Sequence, residues 1–107
     1  MRGQLGQLMQ QAQRVQEDLQ RAQEELAKLE VTGQSGGGMV SVTMNGRHEV
    51  RSVRIDRKLF ADDPEMAEDL VAAAINDAVN KIGEMSKQRM SEVAGGMGLP
   101  PGFKLPF

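Results

Sequence analysis

The sequence predicts an α+β fold: a long N-terminal helix, a three-stranded antiparallel meander and a long C-terminal helix, in that order. Three observations carry the expectation. An apolar repeat of 3.5 residues runs from Leu5 to Leu29, the pattern switches to period two around Val40, and a helix-start signal at Asp62-Asp63-Pro64 opens a second helical stripe.

In the first segment Leu5, Leu8, Ala12, Val15, Leu19, Ala22, Leu26 and Leu29 fill every place of a strict 3-4 alternation. Such a repeat holds one stripe on one side of a helix, and that stripe must be buried against another helix. Leu5, Leu8, Val15, Leu19, Leu26 and Leu29 are therefore the expected packing seam. The seam is flanked by Gln4, Gln11, Asp18 and Glu25 on one side and by Met9, Gln16, Gln23 and Glu30 on the other. No cation is present to pair across a parallel self-zipper. The helix is expected to pack on a different helix, or antiparallel; the alternative is a long amphipathic helix covering its own small domain.

The helix should end near Glu30. Val31-Thr32 opens a strand, Gly33 and Gly36-Gly37-Gly38 punctuate it, and Val40, Val42 and Met44 then alternate with Ser41 and Thr43. Asn45-Gly46 predicts a tight type I′ hairpin, in which both central residues take positive φ. The apolar positions of the return strand, Arg47 to Ile55, slip by one residue between Val50 and Val53, which predicts a bulge around Arg51-Ser52. Beyond it, Asp62 and Glu65 have capping-box spacing, Asp63 can cap, and Pro64 suits a first helical turn. Val71, Ile75, Ala78, Ile82 and Met85 form the stripe of the second helix, Ala72, Ala73 and Ala74 permit close approach, and Gly95-Gly96 should stop it. Residues 1–94 are thus expected to form one α-β-β-β-α domain, and 95–107 a Gly/Pro/Phe tail. The tail either frays, as termini do, or hides Phe103, Leu105 and Phe107 from water.

Composition removes whole classes of function. With 39% hydrophobic residues the chain has no apolar run of the roughly 20 residues that span a bilayer, and Met1 to Gln10 lacks a secretory layout, so a cytoplasmic protein is expected. No cysteine and a single histidine leave no expected metal site, cofactor or thiol nucleophile. His48 beside the hairpin reads as a surface histidine, Asp62-Asp63 as caps, and Gly36-Gly37-Gly38 lacks the Lys-Ser/Thr ending of a phosphate loop. No enzyme is expected. Eight Met and three Phe, without Trp or Tyr, make a thin core that dimerisation would complete.

The order of elements, with Leu29-Glu30-Val31-Thr32-Gly33, Asn45-Gly46, Asp69-Leu70-Val71-Ala72-Ala73-Ala74, Asn76-Asp77-Ala78 and Gly96-Met97-Gly98-Leu99-Pro100-Pro101-Gly102-Phe103, closely resembles the YbaB/EbfC family of bacterial nucleoid-associated proteins. The resemblance spans nearly the whole chain. It implies an intertwined homodimer with protruding long helices that binds double-stranded DNA and alters its conformation, associated with the nucleoid.

Charge raises an objection. Thirteen basic against fifteen acidic side chains give a net charge of −2, whereas a DNA binder gains most of its affinity from a basic surface. Distribution softens it. Arg47, Arg51, Arg54, Arg57 and Lys58 face only Glu49 and Asp56 in their stretch. The second helix begins with Asp62, Asp63, Glu65, Glu68 and Asp69 and carries Lys81, Lys87 and Arg89 toward its end, an order the helix dipole also favours. Arg14, Arg21 and Lys28 recur every seven residues, about 10 Å apart along one side of the first helix. Glu17, Asp18, Glu24 and Glu25 stand within a turn of them, so ordinary intrahelical pairing is the competing reading. The candidate DNA contacts are Arg14, Arg21, Lys28, Arg47, Arg51, Arg54, Lys81, Lys87 and Arg89. With no Tyr or Trp to stack on bases, the expected ligand is the phosphate backbone of a duplex, bound with little sequence preference. A rival from another class is a protein-interaction module that works through the helix-one seam and the Pro/Phe tail.

Overall fold

The computed structural model describes residues 2–96. Helix α1 (Arg2–Lys28) leads into strand β1 (Glu30–Ser35), a 3-10 turn (Gly36–Gly38), β2 (Val40–Asn45), β3 (Val50–Ile55), a short helix α2 (Arg57–Asp62) and helix α3 (Pro64–Gly96). The expected α+β architecture is present. The strands form one antiparallel sheet in the order β1-β2-β3, and residues 97–107, with the expected tail, lie outside the described residues.

α3 packs across β1 and β2. Val40, Val42 and Met44 alternate inward and are almost fully buried against Ala67, Ala74, Ala78 and Ile82. Glycine at 33 makes this approach possible: a Cβ there would collide with the Ala74 carbonyl oxygen, the Ala78 nitrogen and the Ala78 Cβ. The outer edge of β1 is tied to the same helix. Asp77 Oδ2 accepts the Gln34 N–H at 2.9 Å, Lys81 Nζ donates to the Thr32 carbonyl at 2.8 Å, and Ser35 Oγ donates to the Leu70 carbonyl. One free edge of the sheet is thereby satisfied.

β3 is the other edge, and among the described residues no helix is tied along it. It pairs with β2, but Val50 and Val53 remain 44% and 43% exposed, because α3 reaches little beyond β2. The expected bulge is there: Thr43 faces Ser52, Met44 faces Val50, and Arg51 is the extra residue.

Three local expectations need correction. The hairpin is not a two-residue type I′ turn; Asn45 closes against Glu49 across three residues, and positive φ falls on His48 at 63°. The Asn45 side chain drives this, since its Oδ1 accepts both the Arg47 and Glu49 N–H groups. β3 accordingly begins at Val50 rather than Arg47. The Asp62/Glu65 capping box gives way to Asp63, whose Oδ1 accepts the Met66 N–H at 3.1 Å, because Asp62 is engaged as the last residue of α2. α2 itself was not anticipated. Asp56 caps it by accepting the Lys58 and Leu59 N–H groups, and Leu59 plugs it into the core.

α1 runs antiparallel to α3 and meets its C-terminal half, in keeping with the cation-free flanks of the seam. Ala22 is buried and Val15, Leu19 and Leu26 are half-buried, while Leu5 and Leu8 stay 63% and 69% exposed. Within one chain the seam is therefore covered only toward the C-terminal end of α1. Leu29, just past the helix, is 44% exposed. The inner end of α1 is anchored by the hairpin: the Gly46 N–H donates to the Leu29 carbonyl at 2.9 Å, and a Cβ on Gly46 would run into the Leu26 carbonyl.

The Asp77 contact sets a pH dependence. The Gln34 N–H, then Lys81, hold the Asp77 carboxyl below its ordinary value. The contribution is complete above the unfolded-state carboxylate value of about 3.9 and is lost as pH falls through the lower folded-state value. Asp77→Asn should remove that part of the acid sensitivity in thermal melts between about pH 5 and 2 and leave the rest of the profile in place.

Candidate nucleic-acid interface

The basic side chains fall into three groups. Arg14, Arg21 and Lys28 are exposed on α1. Counted from the seam positions, all three lie on the face turned away from α3, whereas Asp18 and Glu25 flank the seam. The expected intrahelical pairs do not form. Among the described residues none of the three cations has a carboxylate within 4.0 Å, and Glu25 is instead given to Arg89 on α3. The outcome is a row of three solvated cations at intervals of about 10 Å.

The second group lies on the sheet and its hairpin. Arg54 is exposed and pairs in register with Ser41, on the sheet face that carries Thr32, Thr43 and Ser52 rather than the core valines. Arg51, placed by the bulge, stands 3.9 Å from Glu30, both side chains well exposed, an ion pair of little energetic weight. Arg47 occupies the hairpin loop. With His48, Leu26 and Ala27 it lines a recess of about 400 Å³ beside the last turn of α1.

The third group is on α3, and most of it is occupied. Lys81 is held by Asp77 at 3.1 Å and by the Thr32 carbonyl. Arg89 lies 2.7 Å from Glu25 and 3.3 Å from Glu92, and the Glu25 hydrogen bond, foremost, raises its proton affinity further. Lys87 is exposed and has no such partner among the described residues. Of the nine candidates, three align on α1, four stand on or beside the sheet or on the outer surface of α3, and Lys81 and Arg89 serve contacts within the chain.

Most of the acids fall into two groups, with Glu17, Asp18, Glu24 and Glu25 on α1. Asp62, Asp63, Glu65, Glu68 and Asp69 gather at the α2–α3 junction. From Glu65 to Arg89, where α1 is met, is about 36 Å of helix at 1.5 Å per residue. The body is long, with extents of 74 × 23 × 16 Å, so the acidic junction lies far from the α1 row, although Glu17 and Glu24 stand exposed on α1 itself. Among the described residues no three carboxylate, imidazole or thiol groups cluster to hold a metal ion, and no helix is long and apolar enough to cross a membrane.

Sequence reasoning missed the role of Glu25. Its partner is on another helix, and no spacing rule within α1 connects the two.

Comparisons with known proteins follow the same outline. The chain matches the YbaB/EbfC DNA-binding family over residues 1–97. A nucleoid-associated protein from Xanthomonas campestris pv. campestris (strain B100) is 67% identical over 107 residues, covering 100% of both chains. A nucleoid-associated protein from Xylella fastidiosa (strain 9a5c) is 65% identical, covering 100% of this chain and 99% of its own. The crystal structure of an uncharacterized protein from Helicobacter pylori superimposes with a TM-score of 0.57 at 32% identity, covering 68% of this chain and 86% of that one.

Proposed function

The chain belongs to the YbaB/EbfC DNA-binding family, and from that premise we propose that it binds double-stranded DNA as a homodimer, with low sequence preference, and alters the conformation of the duplex within the nucleoid. The observation that carries this reading is the outward row Arg14, Arg21 and Lys28, free of carboxylate partners within 4.0 Å among the described residues. Phosphates are the ligands that repay such a row, because each contact releases condensed counterions and none requires a particular base. Arg47, Arg54 and Lys87 extend the surface; Arg51 sits beside it.

Two features support the dimer. β3 is an edge strand with Val50 and Val53 exposed and, unlike β1, no helix tied along it among the described residues. The outer part of α1 leaves Leu5, Leu8 and Met9 in water. A second copy supplies a cover for surfaces of this kind at no cost in new sequence.

The test is fluorescence anisotropy of an arbitrary duplex across a salt series, with the mass of the free protein fixed by light scattering. Three neutralised phosphates per protomer predict a slope of log K against log salt of about −5 for the dimer. Swapping the duplex sequence should change affinity little. A monomer, or affinity indifferent to salt, overturns the reading; absence of binding at low salt favours a protein-interaction module.

A further inference from the structure

Arg89 stands on α3 with its guanidinium between two carboxylates, one on its own helix and one on α1. Its Nη2 donates to Glu25 Oε2 at 2.7 Å, and its Nη1 to Glu92 Oε2 at 3.3 Å. On α1, Glu25 follows Arg21 by four residues, a spacing at which opposite charges on one helix neutralise each other. That pair is absent. Glu25 is turned to α3, and Arg21 is left exposed on the outward face with no carboxylate within 4.0 Å among the described residues. Glu24, three residues after Arg21 and four before Lys28, forms no pair within that distance either.

We propose that Arg89 is a positioning residue for DNA binding: by holding Glu25 against α3 it keeps the Arg21 guanidinium available to a backbone phosphate. The proposal rests on the reading that the α1 row meets phosphates. Released, Glu25 would act against binding twice, by neutralising Arg21 and by presenting an anion toward the duplex. Arg89 therefore promotes binding without touching nucleic acid, since its guanidinium is spent on carboxylates.

Rescue distinguishes this from direct contact. The full chain is compared with Arg89→Gln, Glu25→Gln and the double variant by duplex anisotropy over a salt series, with circular dichroism melts confirming the fold. Arg89→Gln should flatten the salt slope by about 0.9 per protomer, the effect of leaving one phosphate without its cation. Glu25→Gln should bind at least as tightly as the parent. The double variant should recover the parent slope, because no carboxylate is left at position 25 to take Arg21. If the double variant keeps the flattened slope, Arg89 itself meets a phosphate and the proposal is overturned; an unchanged slope in Arg89→Gln overturns it as well. Should Arg89→Gln melt below the assay temperature, Arg89→Met, which retains the aliphatic stem, carries the same comparison. Failure of the parent protein to bind would sink the DNA-binding reading itself and is seen before any variant is measured.

Discussion

Gly33→Val should cost about 3 kcal/mol or more and lower the melting temperature by about 10–20 °C in a domain of this size. A side chain at position 33 would meet the backbone of α3 at Ala74 and Ala78, and helix backbone has no rotamer with which to yield. The sheet would have to lift from α3, which also strains the contacts of Gln34 with Asp77 and of Lys81 with Thr32. Gly83→Ala is the matching control. A Cβ at position 83 meets nothing within 4 Å, so the better helix former should leave stability unchanged or raise it by up to about 1 kcal/mol. A melt of Gly33→Val that coincides with the parent would show that β1 is not clamped to α3.

The combined change Arg14→Glu, Arg21→Glu and Lys28→Glu should reduce duplex affinity at moderate salt by on the order of a hundredfold or more, because three favourable phosphate interactions per protomer become repulsive. Folding should survive: the three side chains are exposed, make no ion pair within 4.0 Å among the described residues, and glutamate is about as good a helix former as arginine or lysine. The neutral version, with glutamine at all three positions, should flatten the salt slope by about 2.7 per protomer, the share of three phosphate contacts, without reversing the field. Parent-like binding by the reversed protein, with helical content intact, would move the interface off α1.

The long elements were legible because periodicity accumulates. Twenty-five residues of 3-4 alternation, or the alternation of Val40, Val42 and Met44, repeat a signal until it outweighs local noise. The bulge at Arg51 was legible for the same reason, as one interruption of a regular pattern. α2 was not, since six residues held by one buried leucine and one aspartate cap contain no period to detect. The glycines at 33 and 46 were visible as punctuation, yet their purpose is a close approach between distant segments. For the proposed interface, the α1 row could be read directly from the spacing of seven. Its freedom could not: Glu24 and Glu25 suggested neutralisation, and only the antiparallel meeting of α1 with α3 shows Glu25 drawn away to Arg89.

The contact between Gly46 and the last turns of α1 makes that helix a lever. Its fulcrum is at Leu26, where the hairpin leaves no room for even a methyl group, and Leu5 lies about 32 Å outboard at 1.5 Å per residue. A tilt of about ten degrees at the fulcrum carries the tip through roughly 5 Å, more than the rise of about 3.4 Å between successive phosphates of one strand. A single missing side chain in a hairpin therefore sets the aim of the arm, and with it, under the proposed function, the register its cations would offer a duplex.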